Sequence, residues 1–166
     1  DKGRTTLRID DNMWMYIPSA GRPIRIASMQ SAIGGVFSNA DILALDYNVE
    51  YNAKIEKETA TEIVLICKAK SATVAYDMLR MYVDKRFIAP NIIECYSTTK
   101  ILIKVLRFLN RKDFGNGLIR ASVTETTSPL QRGYKSLMLV GSITPTPLPP
   151  DMFTLNYMPI LSSRGF

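Results

Sequence analysis

The chain has 166 residues, 46% apolar and 22% charged, which is enough to bury one core and ordinary for a globular domain. It has no histidine, and its two cysteines, Cys67 and Cys95, form no CxxC pair; histidine-dependent triads, zinc hydrolases and most redox sites are thereby excluded. A net charge of +6 and a pI near 9.4 invite a nucleic-acid reading, but the basic residues are scattered beside turns or alternate with apolar ones, so a solvated surface is expected first, an anionic lipid surface second, and nucleic acid not at all.

No apolar run reaches the roughly 18 residues that a membrane-crossing helix needs. Arg4 to Asp10 alternates apolar and polar residues and predicts a strand, followed by a turn at Asp11-Asn12 and a second strand from Met13 to Ile17. A tight turn on those two residues sets Ile9 opposite Trp14 and Leu7 opposite Tyr16. Pro18 to Gly21 is a further turn signal, and Pro23 to Ser28 resumes alternation. The three strands form a meander whose covered face is expected to be Leu7, Ile9, Trp14, Tyr16, Ile24 and Ile26. Met29 to Leu45 breaks the pattern: Gly34-Gly35 suits a flexible loop, and Ser38 caps a short helix with Asp41 in its first turn, the one mobile element expected.

Alternation then returns in Val49–Lys57, Glu62–Lys70, Val74–Val83, Ile88–Tyr96, Ile101–Leu109, Leu118–Thr126 and Gln131–Ile143. Ile63, Leu65 and Cys67 share a face, as do Leu79, Met81 and Val83. Spacing alone leaves helix open for Ile101 to Arg111, but the flanking turns and β-branched residues favour a strand. If the strands bearing Cys67 and Cys95 flank Val74–Val83, the two thiols lie about 9–10 Å apart, beyond the roughly 7 Å a disulfide spans, and are predicted free and buried. Four prolines make Thr144 to Pro150 an extended strap, and Asp151 to Phe153 a capped turn. The expected fold is mainly β, an antiparallel sheet of nine or so strands large enough to curl into an incomplete barrel with one or two short helices, as a single domain over residues 1–166.

No catalytic, metal or cofactor set emerges. Asp10-Asp11 reads as turn chemistry, Ser38 as a cap with no base near it in sequence, and the eight methionines as gap-fillers whose flexibility also suits a pocket for varied chains.

Leu7-Arg8-Ile9, Met13-Trp14-Met15-Tyr16-Ile17-Pro18-Ser19, Arg25-Ile26, Gln30, Gly34 with Phe37-Ser38, and Asp41-Ile42 resemble, in order and spacing, the LolA-like and LolB-like family of outer-membrane lipoprotein-sorting proteins. Tyr82-Val83-Asp84-Lys85 with Pro90, and Leu148-Pro149, Asp151, Phe153-Thr154-Leu155 and Tyr157, continue the similarity to the end. The resemblance implies a half-open antiparallel barrel whose apolar groove holds lipid or lipoprotein acyl chains in the periplasm. Its partners are an inner-membrane exporter or outer-membrane acceptor and the membrane surface, with a lipoprotein anchor as a further possibility. The resemblance implies a carrier and not an enzyme. On that basis the groove-lining residues are expected to be Leu7, Ile9, Trp14, Tyr16, Ile24, Ile26, Phe37, Leu65 and Met81. Two departures stand out. Val36 replaces the acidic residue that the family carries before the Phe of the glycine loop, and the family has a helix and first strands ahead of the segment matching Asp1. Without those strands Arg4 to Asp10 is an unpaired edge.

Two other readings stay open. One is a structural or interaction lipoprotein domain that docks an exporter or partner chain through its sheet edge. The other is a lipid-modifying enzyme built on carboxylates and hydroxyls, which requires carboxylates from distant strands to converge inside the sheet.

Overall fold

Alternation and turn chemistry do build the chain. The computed structural model describes residues 2–32, 34–43 and 46–164, and in it ten strands carry the fold. They are β1 (Thr5–Ile9), β2 (Asn12–Tyr16), β3 (Pro23–Ile26), β4 (Tyr51–Glu58), β5 (Glu62–Ala69), β6 (Met78–Asp84), β7 (Ala89–Tyr96), β8 (Leu102–Asp113), β9 (Ile119–Thr127) and β10 (Lys135–Leu139). Three short α-helices accompany them: α1 (Asn39–Ile42), α2 (Tyr47–Glu50) and α3 (Met158–Arg164). Two compact units result. One takes in β1–β3, α1 and α3; the other takes in residues 34–37, α2 and β4–β10.

In the first unit β1, β2 and β3 form an antiparallel meander. Its first turn falls one residue earlier than expected. Asp10, at φ 50°, takes the left-handed conformation that a two-residue hairpin turn demands and that Asp tolerates, so Asp10-Asp11 is the turn and Ile9 pairs with Asn12. Leu7 therefore faces Trp14, and Thr5 faces Tyr16. Met13 and Met15 pair with Ile26 and Ile24. Directly opposed residues share a face, so Leu7, Ile9, Trp14 and Tyr16 remain together, while Ile24 and Ile26 lie on the other side with the methionines. The single six-residue face is thus corrected to two faces. Met13, 4% exposed, is the most buried residue of the meander. The Thr5 hydroxyl, on the Leu7–Trp14 face, donates to the Met158 carbonyl at 3.4 Å, which sets the start of α3 against that face. Gly3 lies at φ +80°, where a Cβ would meet both Pro18 Cγ and Ser162 Oγ at 3.1 Å.

The capped helix begins where expected. The Ser38 N–H donates to Asp41 Oδ2 at 2.7 Å, and the first turn is tied to the preceding loop by Asn39 N–H to Gln30 O (3.0 Å) and Ala40 N–H to Ser28 O (2.9 Å). The Asp151–Phe153 turn is also present, as a short 3-10 helix over Pro150–Phe153. Leu45, the expected end of the Met29–Leu45 segment, lies outside the described residues.

In the second unit the seven strands β4 to β10 form one antiparallel sheet in sequence order, and β4 and β10 pair with one neighbour each among the described residues, so the sheet is open. Several boundaries differ from expectation. Val49 starts no strand: Asp46 caps α2 instead, accepting from the N–H groups of Asn48 (3.1 Å) and Val49 (3.3 Å). β6 begins at Met78, after a turn closed by Ala69 N–H to Asp77 O (2.9 Å). Gln131–Ile143 shortens to β10, because residues 128–134 form a loop around Gly133 at φ +82°. The ambiguous Ile101–Arg111 stretch is strand, and β8 runs on to Asp113.

One face of the sheet is packed and the other is mixed, with ion pairs beside the buried Val64 and Val105. Ile63–Val83, Leu65–Met81 and Cys67–Leu79 are opposed pairs on the packed face, as alternation predicted. Tyr76, Leu79 and Ile93 are essentially sealed within it, and burial of each contributes about 1.5–3 kcal/mol. The mixed face carries Arg80–Glu56 (2.7 Å) and Arg107–Glu125 (3.9 Å) pairs. Cys67 and Cys95 each oppose Leu79 from its two sides and are free and buried, so β6 separates them as predicted.

Candidate functional site

β-strand alternation puts every second residue of β4 to β8 on the packed face, and there the sequence is aliphatic. One row crosses the sheet as Ile55, Leu65, Met81, Ile93 and Leu106, each opposed to the next. Phe37, carried in after Gly34-Gly35-Val36, joins the same cluster. Burial is graded along this face. Met81, Ile93 and Leu106 are buried, Leu65, Ile63, Val83 and Phe108 are half-buried, and Ile55 is 61% exposed. Such a surface takes up aliphatic chains: it has no directional demand, and each buried methylene contributes about 0.8 kcal/mol.

A small polar cluster interrupts it. Lys104, 5% exposed, opposes Cys95, and its ammonium lies 5.7 Å from the centre of the Tyr76 ring. The Tyr51 hydroxyl donates to the Tyr76 carbonyl at 3.0 Å. Burial, with Glu50 and Cys95 nearby, holds the Tyr51 phenol well above its ordinary range, so it stays a neutral donor. Burial also pushes the Cys67 thiol up, and its sulfur rests 3.6 Å from Met81 Sδ. Among the described residues Glu50 is the one buried carboxylate, so no pair of carboxylates converges in this core, and no three acidic or cysteine side chains are placed to share a metal ion.

Beyond the apolar row, Gly34-Gly35-Val36 lies over the β9–β10 end of the sheet. The Val36 N–H donates to Ser136 Oγ at 2.9 Å, and a Cβ on Gly35 would sit 2.6 Å from the same oxygen, so only glycine permits this approach. A pocket of about 480 Å³ opens between this segment and residues 130–136.

Of the residues singled out from sequence, Phe37, Leu65 and Met81 are brought together in the second unit. Leu7, Ile9, Trp14 and Tyr16 share one face of the β1–β3 meander, and Ile24 and Ile26 share the other. Lys104, Glu50 and the glycine-loop pocket escaped sequence reasoning. Lys104 had a usable signal: it occupies the same alternation parity as Leu106 and Phe108, which marks a charge pointing inward. The pocket had none, because it joins segments about a hundred residues apart.

A family model described as an uncharacterized protein matches residues 1–159. No curated protein matches the sequence. Three solved structures share the fold. A LolA superfamily protein from Nitrosomonas europaea has a TM-score of 0.79 at 23% identity, with 93% of this chain and 71% of that one covered. A DUF1329 family protein from Desulfovibrio piger gives 0.77 at 21% identity, covering 92% and 66%. A domain designated an outer membrane lipoprotein-sorting protein, from Vibrio parahaemolyticus, gives 0.66 at 24% identity, covering 91% and 66%. The chain thus spans about two thirds to 71% of the length of these structures.

Proposed function

We infer the function of a chain that belongs to the uncharacterized-protein family matched over residues 1–159 and that has the LolA-superfamily fold. We propose that it is a periplasmic binding protein for lipid or lipoprotein acyl chains, which it carries toward the outer membrane without chemical change. The observation that carries this reading is the graded apolar face of the seven-stranded sheet, where Ile63, Leu65 and Val83 continue the sealed Met81–Ile93 core outward as half-buried aliphatic surface. Phe37, Leu65 and Met81 form the wall, and Leu7, Ile9, Trp14 and Tyr16 offer a second apolar surface on their own meander, with Ile24 and Ile26 on its reverse. The fold supports the reading because one of the similar structures is designated a lipoprotein-sorting domain. An exporter or an outer-membrane acceptor is the partner such a carrier needs.

Native mass spectrometry of the purified protein, with titration of a fluorescent fatty acid, tests it. Co-purified lipid and saturable binding at one or two chains per protein are expected; the absence of both refutes it. A second reading, docking of a partner chain by edge pairing, is favoured by β10, an edge strand that exposes Leu137 and Leu139. Light scattering after size exclusion separates the two: a monomer that binds acyl chains supports the carrier, and an obligate assembly without binding supports docking.

A further inference from the structure

One end of the seven-stranded sheet has a surface unlike the rest. Because the strands meander, the β7–β8 loop (residues 97–101) and the β9–β10 loop (residues 128–134) leave the sheet at the same end, where Tyr96 pairs with Leu102 and Thr127 with Lys135. The Ser128 hydroxyl, donating to the Ile103 carbonyl at 2.6 Å, ties the second loop to the start of β8. Neither loop contains an acidic residue. Between them they expose Leu130 (68%), Tyr134 (74%) and Ile101 (57%), interleaved with Lys100, Arg132 and Lys135.

Each feature has an individual explanation; their combination does not. Isolated exposed aliphatic residues are ordinary, and basic side chains in loops are solvated. Here three large apolar side chains and three cations occupy one sheet end with no acid in either loop, and the exposed acid at this end, Asp77, is carried by the separate β5–β6 turn. Lys135 reaches Glu125 of β9 at 3.4 Å, whereas Arg132 has no ion-pair partner among the described residues. Beside them is the pocket of about 480 Å³ between Gly34-Gly35-Val36 and Arg132, Tyr134 and Lys135. That lies within the roughly 300–1,000 Å³ of small-molecule sites. The opposite sheet end is also apolar and basic, with Ile88 and Arg86, but the same turn carries the acidic Asp84, whose carboxylate accepts from the Arg86 backbone N–H at 2.8 Å.

We propose that this end of the sheet docks onto a membrane bearing anionic phospholipid. Leu130, Ile101 and the Tyr134 ring enter the interfacial layer, where an amphipathic aromatic is favoured. Lys100, Arg132 and Lys135 meet the headgroup phosphates, and the adjacent pocket receives one headgroup. The surface is distinct from the apolar wall that holds acyl chains, so either inference can fail without the other.

Co-sedimentation with phosphatidylcholine vesicles, with and without phosphatidylglycerol, tests it. Binding to the phosphatidylglycerol vesicles, weakening as salt is raised, is expected, with little to phosphatidylcholine alone. Arg132→Glu is expected to weaken it roughly tenfold, and the paired Leu130→Ala and Tyr134→Ala changes by a similar factor. Arg86→Glu, the same charge change at the opposite end, is expected to alter it less than about twofold. These are exposed loop positions, and thermal unfolding checks that each variant is folded. No binding by the unaltered protein, or equal losses from Arg86→Glu and Arg132→Glu, overturns the proposal. Fatty-acid binding without vesicles, measured on the same proteins, is expected to be unchanged by Arg132→Glu; its absence with vesicle binding intact refutes only the carrier reading.

Discussion

Substituting Gly35 by alanine tests the closest approach in the second unit. The added methyl would sit 2.6 Å from Ser136 Oγ, well inside van der Waals contact, while that oxygen accepts the Val36 N–H at 2.9 Å. If Ser136 rotates away, the N–H of buried Val36 loses its acceptor, which costs about 1–3 kcal/mol. If the segment lifts instead, Phe37 is drawn from the core, with a cost of similar size. Replacing glycine returns about 0.4–1 kcal/mol through the unfolded chain, so the net loss is about 1–2 kcal/mol. Ser136→Ala alone removes the same acceptor, at about 1–2 kcal/mol. In the double variant the clashing oxygen is gone, and Ser136 Cβ at 3.6 Å is an ordinary neighbour, so the lost hydrogen bond is counted once. Urea unfolding of all four proteins should give a coupling of about 1–2 kcal/mol. Additivity within about 0.5 kcal/mol, or a neutral Gly35→Ala, refutes the reasoning.

Leu65→Gln places an amide on the half-buried part of the apolar face; acyl binding should weaken roughly tenfold in a fatty-acid displacement assay while the fold survives, and unchanged affinity removes Leu65 from the wall. Cys67 and Cys95 should resist a thiol reagent in the native protein and both react after unfolding; rapid native labelling or a bond resolved on a non-reducing gel contradicts their burial and separation by β6. Burial and the hydrogen bond to Glu94 (2.8 Å) push the Tyr96 phenol up to about 12. Its folded value is above the ordinary value near 10, so the stability it contributes is present below pH 10 and is lost as pH rises toward 12. Tyr51 acts in the same sense. Unfolding measured across that window should show the decline, less steep in Tyr96→Phe; a Tyr96→Phe protein with the same decline locates it elsewhere.

Period-two alternation was enough to place β5, β7 and β9, with turns and β-branched residues deciding β8, and to put Ile63, Leu65 and Cys67 on one face and Val83, Met81 and Leu79 on another, because a strand's side chains must take opposite sides in turn. The Ser38–Asp41 helix start was legible for a similar reason: a capping box is a local hydrogen-bond pattern complete within four residues. The free cysteines followed from the order of strands. The meander register did not: Asp10-Asp11 and Asp11-Asn12 are equally good turn pairs in sequence, and the β2–β3 pairing, which sets Ile24 and Ile26 opposite Met15 and Met13 and not beside Trp14, is written in no local pattern. Lys104 could be assigned inward by parity, but its place opposite Cys95 and over the Tyr76 ring depends on which strands are neighbours. The approach of Gly35 to Ser136 and the joining of two loops into one basic, apolar sheet end also arise between segments far apart in the chain. Spacing along a sequence fixes which side a residue takes within its own strand, whereas the distances between such segments are set only when the sheet is assembled.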